Sequence, residues 1–335
     1  MVSACILGCA GPLLSPEETA FFRAVQPWGF ILFRRNVETP DQVRGLCAAL
    51  RSTVDRADAP ILIDQEGGRV QRLGPPHWPR YPTGAAYAAH AANDPLTAKA
   101  LVRLGARLIA EDLRTLGITV DCAPVLDVPV RGAHDVIGDR AFGETAMSVA
   151  ALGRAQAEGL IAGGVLPVIK HIPGHGRSMN DSHLELPVVD ADRAALETDF
   201  APFRVLSDMP MAMTAHVVYP AIDAKNPATT SKAALRLIRE DLGFGGLIMS
   251  DDLSMKALSG DFAARARRSL RAGCDVVLHC NGSMDEMKAV VAGTKALSGS
   301  AKHRALAALA RIPRTPEPMD EVEARARFAA AFPDL

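Results

Sequence analysis

A chain of 335 residues with 37 Lys and Arg against 38 Asp and Glu carries a formal net charge of −1. Its charges are interspersed without a basic stripe or block, which argues against a nucleic-acid or anionic-membrane partner. No apolar run reaches the ~20 residues that a membrane-spanning helix needs, while the length allows a sizeable core in one large α/β domain or two smaller ones.

From the N-terminus, apolar runs of strand length recur at Ala4–Gly8, Phe30–Phe33, Pro60–Asp64, Thr119–Val125, Leu166–Lys170, Met211–His216, Gly246–Asp251 and Asp275–Cys280. Helical segments separate them. Ser15-Pro16-Glu17-Glu18 and Thr39-Pro40-Asp41-Gln42 each join a capping residue, a proline at the first helical position and an acid or amide at the third. Ser283-Met284-Asp285-Glu286 reads as a further capping box. Leu101, Leu104, Leu108 and Leu116 keep helical spacing with Gly117 as the stop, and Gly243 and Gly273 mark the ends of two later helices.

Continuous apolar strands alternating with helices imply parallel strands joined by crossovers. Eight such units predict an α/β fold of the (β/α)8 TIM-barrel type, typically ~250 residues before insertions. The surplus falls in the Leu73–Asn93 excursion after the third strand and in an Ala-rich helical tail over 301–335. The Pro313-Arg314-Thr315-Pro316-Glu317-Pro318 run reads as a turn inside that tail, so residues 1–335 are expected to form one catalytic domain. A doubly wound open sheet is the alternative, but it needs a Gly-rich phosphate turn after the first strand, which Gly8-Cys9-Ala10-Gly11 matches poorly.

The six cysteines, Cys5, Cys9, Cys47, Cys122, Cys274 and Cys280, sit mostly in apolar runs and show no Cys-x-x-Cys spacing. They read as buried free thiols in a reducing cytoplasm. Ile6-Leu7-Gly8-Cys9 imitates a lipoprotein cleavage box, but no basic residue and no full apolar stretch precede it, so the match reads as accidental.

Polar residues gather at the strand ends, where a barrel carries its active site. Asp64, Lys170, His171, His216, Asp251 and Asp252 close their strands, and Arg72 and Arg140 lie in loops beyond the third and fourth. The densest stretch follows the fifth strand, Lys170-His171-Ile172-Pro173-Gly174-His175-Gly176-Arg177-Ser178-Met179-Asn180-Asp181-Ser182-His183. Its proline and glycines exclude a regular element and leave a polar loop of the kind on which α/β proteins mount chemistry. Carboxylates that accept and cations that donate suit a substrate covered in hydroxyls. Trp28, Trp78 and Phe33 are candidates for a sugar platform. A metal held by His171, His175, His183 and Asp181 is a competing reading, weakened by the absence of a His-x-His pair on the first strand.

Lys170-His171-x-Pro-Gly-His175-Gly-x4-Asp181-Ser182-His183 resembles the signature of the β-N-acetylglucosaminidases of glycoside hydrolase family three, in particular the single-domain bacterial type of peptidoglycan recycling. Further matches follow along nearly the whole chain. They are Asp64-Gln65-Glu66-Gly67-Gly68-Arg69-Val70-Gln71-Arg72, Ala123-Pro124-Val125-Leu126-Asp127-Val128, Ile137-Gly138-Asp139-Arg140 and Ser250-Asp251-Asp252-Leu253-Ser254-Met255. Ile172 and Ala141 depart from the common phenylalanine and serine without removing a charge. Larger members of the family carry a second α/β domain for which this chain has no room.

The resemblance implies a cytoplasmic, retaining exo-β-N-acetylglucosaminidase that uses no metal or cofactor and acts on muropeptides or other small N-acetylglucosaminides, with a monomer expected. It assigns Asp251 as nucleophile and His183, oriented by Asp181, as acid/base. It gives Asp64, Arg72, Arg140, Lys170 and His171 to the hydroxyls of the terminal sugar. Asp252 is expected to cap the following helix, and His175 and His216 stay undecided between supporting and purely structural roles. Phosphorolysis on the same scaffold, a metal-dependent hydrolase and a silent sugar-binding barrel are the rival readings.

Overall fold

Burial on both faces explains why the strands read as unbroken apolar runs. The computed structural model describes residues 1–182, 185–333 and 335. Its strands are β1 (Ser3–Gly8), β2 (Pro27–Leu32), β3 (Ile61–Ile63), β4 (Val120–Asp121), β5 (Leu166–Ile172), β6 (Met211–Thr214), β7 (Leu247–Asp252) and β8 (Val276–His279). All run parallel, each beside its neighbours in sequence, and β8 closes the barrel on β1 with Cys5 opposite Val277 and Leu7 opposite His279. Ile6, Phe30, Leu62, Val168, Met211 and Ile248 are fully buried, each contributing about 1.5–3 kcal/mol relative to exposure.

Around the barrel lie α1 (Pro16–Val25), α2 (Pro40–Val54), α3 (Gly84–Ala91), α4 (Pro95–Thr115), α5 (Ala146–Ala162), α6 (Arg193–Val205), α7 (Lys232–Glu240), α8 (Phe262–Ala272), α9 (Met284–Gly293), α10 (Gly299–Leu309) and α11 (Glu321–Ala331). The predicted capping box is complete at Ser15, whose hydroxyl takes the Glu18 amide while Glu18 returns to the Ser15 amide. Thr39 caps α2 through the Gln42 amide. Ser283 departs from expectation, since its side chain makes no cap bond. The glutamate of that box is diverted, accepting from Asn281 at 2.9 Å and lying 3.2 Å from His279.

The fourth strand is also shorter than expected. Regular pairing covers only Val120–Asp121, and beyond it a single bridge joins Val125 to Lys170. Pro124, which has no amide to donate, interrupts the ladder. Between β3 and the expected Leu73–Asn93 excursion stands an antiparallel hairpin, Gln65–Gly67 against Val70–Gln71, which the strand count did not include. Gly67 turns this hairpin at φ +103°, and a Cβ there would meet the Pro82 carbonyl oxygen at 2.2 Å.

The C-terminal helices pack on the barrel. Arg304 of α10 pairs with Asp275 at 2.6 Å, and Arg325 of α11 pairs with Asp112 of α4 at 2.6 Å. The proline run between these helices is irregular and tied down, with the Glu317 amide donating to Ala162 and Arg107 donating to the Glu317 carbonyl. All six cysteines are free and buried, and desolvation pushes the Cys5, Cys9 and Cys47 thiols up to about 12. Among the described residues no helix is long and apolar enough to cross a membrane.

Candidate active site

At the C-terminal ends of the strands lies a cavity of about 530 Å³. It is lined by Asp64, Arg72, Arg140, Lys170, His171, Asp181 and Asp251, so seven of the eight residues expected from the sequence meet there. His183 lies outside the described residues. A second cavity of about 660 Å³ between α4 and α11 takes none of these groups.

One wall is a network of charges. Lys170, nearly inaccessible near the end of β5, donates to Asp64 at 3.0 Å and pairs with Glu66 at 2.6 Å. Arg72 reaches the other oxygen of Asp64 at 2.9 Å, and Arg140 grips Glu66 with two bonds of 2.9 and 2.8 Å. Desolvation opposes ionisation of both carboxyls, but the adjacent cations outweigh it. Lys170 and Arg72 hold Asp64 well below the usual carboxylate range, and Arg140 and Lys170 hold Glu66 at about 2. Lys170 is in turn kept above its ordinary value against desolvation by the two carboxylates. Three cations against two carboxylates leave oxygens and N–H groups of both senses facing the cavity, the complement of a vicinal diol.

Local folding sets this wall. Buried Gln65 accepts the Arg72 and Leu73 amides at 3.0 Å each, returning the hairpin so that Arg72 arrives over Asp64. Arg72 then stacks on Phe33 with its guanidinium 5.0 Å from the ring centre. Arg69 fastens the hairpin to the loop that carries Arg140, bonding Asp139 at 2.9 Å and the Asp135 carbonyl at 2.6 Å. Phe33 thus belongs to the cavity, whereas Trp28 and Trp78 are buried in the core and outside the cavity lining, so neither serves as a sugar platform.

Beneath the His-rich loop sits Asp127, fully buried. It lies 2.6 Å from His171 Nδ1 and accepts the His171 and His175 amides at 3.2 and 2.7 Å. Desolvation works against its charge, and His171 foremost among its neighbours draws its pKa down instead. Because a carboxylate can only accept, Nδ1 of His171 donates and Nε2 is left as its remaining polar atom. The loop presses close here: a Cβ on Gly176 would sit 2.0 Å from the Val128 carbonyl oxygen.

Opposite the charged wall, β7 ends in Asp251 and Asp252, and both line the cavity. Strict strand alternation would turn one of them away. The register against β8 shifts between Val276 and Leu278, and a similar shift between Lys170 and Ile172 on β5 brings Lys170 and His171 to the same cavity. Asp251 accepts the Asp252 amide at 2.7 Å. Asp252 caps no helix, because α8 begins only at Phe262 with Asp261 as its cap. Its carboxylate instead takes the Ser254 and Cys280 amides, at 3.0 and 3.1 Å, tying β7 to the end of β8. His216 braces the same corner, within 3.0 Å of the Asp252 carbonyl and 2.7 Å of the Thr229 hydroxyl.

Glu66 and Asp127 are the functional neighbours that residue-by-residue reading overlooked, although both sit inside the quoted motifs. Charge counting could have found the first, since Lys170, Arg72 and Arg140 cannot all be buried against Asp64 alone. Among the described residues no group of three or more His, Cys, Asp and Glu side chains is arranged to hold a metal ion.

The family model described as the glycosyl hydrolase family 3 N terminal domain matches residues 17–314. A beta-hexosaminidase from Methylococcus capsulatus is 42% identical over 279 residues, covering 81% of this chain and 80% of that protein. Among solved structures, NagZ from Neisseria gonorrhoeae in complex with N-trifluoroacetyl-D-glucosamine superposes with a TM-score of 0.86 at 34% identity, covering 98% of this chain and 97% of that one. A family 3 beta-N-acetylglucosaminidase from Paenibacillus gives 0.85 at 31% identity, covering 98% and 67%.

Proposed function

Because the chain belongs to glycosyl hydrolase family 3, and is a glycoside hydrolase, we propose that it is a retaining exo-β-N-acetylglucosaminidase working through a covalent intermediate on Asp251. The observation that carries this reading is one cavity shared by Asp251, Asp181 and the Asp64–Glu66–Lys170–Arg72–Arg140 network. The network takes the hydroxyls of the terminal sugar and presents its anomeric carbon to Asp251. His183, with Asp181 as its orienting carboxylate, protonates the departing oxygen and then activates water. An imidazole titrating near neutral pH suits both duties. The substrate is an N-acetylglucosaminide, read as an anhydro-muropeptide of bacterial wall turnover, met in the cytoplasm by a monomer. Residues 1–335 act as one catalytic domain with the tail over 301–335 as its brace.

The test is turnover of nitrophenyl β-N-acetylglucosaminide with and without chelator and phosphate. Hydrolysis indifferent to both, with the plain β-glucoside a poor substrate, is expected. A slowed donor that keeps the 2-acetamido group, such as a 5-fluoro N-acetylglucosaminyl donor, should label Asp251. An adduct on Asp252 or Asp64, a phosphorylated sugar product, or activity lost with chelated zinc would each replace this reading with a rival.

A further inference from the structure

We infer that Ser182 and His175 are positioning residues, forming a tie that sets Asp181 against the loop following the nucleophile strand. This rests on the reading of Asp181 as the orienting member of the acid/base pair. Ser182 follows Asp181 directly and is buried, although Met179 shortly before it is exposed. Its hydroxyl lies 3.2 Å from Nε2 of His175, and its carbonyl accepts the Ala257 amide at 3.3 Å. Ala257 stands six residues beyond Asp251, in the turn between β7 and α8. One residue thus joins the His-rich loop to the nucleophile's own loop.

The other end of the tie is immobilised. His175 is buried, its amide is held by Asp127 at 2.7 Å, and its ring stands edge-on to His171 with centroids 5.8 Å apart. Its second nitrogen, Nδ1, is buried with no partner among the described residues. Ser182 is therefore the ring's one hydrogen-bonding contact among them, and an imidazole kept only for packing would serve as well as a leucine. Burial also drives the ring's pKa down to about 4, so the contact joins two neutral groups across the working range of pH. Any displacement of Ser182 moves Asp181 through one peptide unit, and with it the orientation of the imidazole it serves.

Ser182→Ala, His175→Ala and His175→Gln should be compared with Asp181→Asn on two donors, an alkyl β-N-acetylglucosaminide and its 2,4-dinitrophenyl counterpart. Ser182→Ala and His175→Ala should slow the alkyl donor about 2- to 13-fold in kcat/KM, the worth of one neutral hydrogen bond. The burst on the dinitrophenyl donor, which needs no proton, should keep its rate. Glutamine, whose amide reaches where Nε2 stood, should restore the alkyl rate in part. Thermal melts show which variants fold, and Ser182→Ala alone suffices should His175→Ala not fold. If Asp181→Asn discriminates between the donors and Ser182→Ala does not, the tie is overturned and the acid/base reading stands. If Asp181→Asn treats both donors alike, that reading falls and the tie falls with it.

Discussion

On the wall built around β3, its hairpin and β5, the charges of Asp64, Glu66, Arg72, Arg140 and Lys170 hold one another, Lys170 and Asp64 across 106 residues of sequence. Along the path from His175 through Ser182 to Ala257, the ties are single hydrogen bonds between neutral groups. Breaking one member of a buried ion pair costs about 3–5 kcal/mol, whereas a neutral hydrogen bond is worth about 1 kcal/mol. The charged wall is therefore fixed by its own pairs. The ties through Ser182 are individually weaker, and the His-rich loop they join is anchored beyond them by Asp127. Recognition calls for fixed geometry, while an acid that must later act as a base gains from adjustable placement.

Replacing Asp251 by Asn cuts the comparison most sharply, because it removes chemistry from the β7 side and leaves the charged wall intact. Turnover should fall by roughly 10⁴–10⁶-fold, the scale seen when a covalent nucleophile is lost. Binding of N-acetylglucosamine by calorimetry should survive. Loss of both together would mean that the two regions are not separable.

His183→Ala should cost roughly 10²–10⁴-fold on a donor with a basic leaving group, the usual worth of general acid help. A dinitrophenyl donor should instead show a burst and then accumulate glycosyl-enzyme, which rapid quench with intact mass would detect. Equal slowing of both donors, without a burst, would assign His183 to binding.

Lys170→Met addresses the other wall. It leaves Asp64 and Glu66 facing each other without their shared cation, so the expected loss is about 3–5 kcal/mol of stability in denaturant titrations, with a raised KM. An unchanged midpoint would show that the wall is no more rigid than the loop.

The smallest effect concerns Asp121, which lies within the barrel, its Oδ1 taking the Gln65 amide at 3.0 Å and its Oδ2 finding no partner among the described residues. Desolvation raises its pKa to about 7, opposite to the depression at Asp64 and Glu66. Its folded pKa exceeds the unfolded one, so its contribution is complete below the unfolded value near 4. That contribution is lost as pH rises through about 7. The slope is at most about 1.4 kcal/mol per pH unit. Asp121→Asn should flatten stability between these limits, and an unaltered pH profile would remove Asp121 from the account.

Apolar runs and caps made the barrel legible, because a strand buried on both faces must be apolar throughout. What escaped is local and depends on distant partners. Ser283 reads as a cap, yet Glu286 is claimed by Asn281 and His279. Trp28 and Trp78 read as surface platforms, but the core takes both. Asp251 and Asp252 could not be told apart by alternation, because the shifted register turns both inward. In each case the deciding neighbour lies on another strand or loop, where spacing along the chain carries no information.

Closure of the barrel has a consequence for how the protein comes into being. β1 emerges from the ribosome first and finds β2 soon afterwards, but its other partner, β8, spans Val276–His279. The strand is sealed further by Ala4 donating to Lys295 and Leu297 donating to Val2. Through most of synthesis the growing sheet therefore carries two open edges, the condition under which strands recruit foreign partners. A chain arrested before residue 276 would hold the whole charged wall and still lack the strand that seals the barrel. Only when Val276–His279 has been made can both edges be paired and the barrel close.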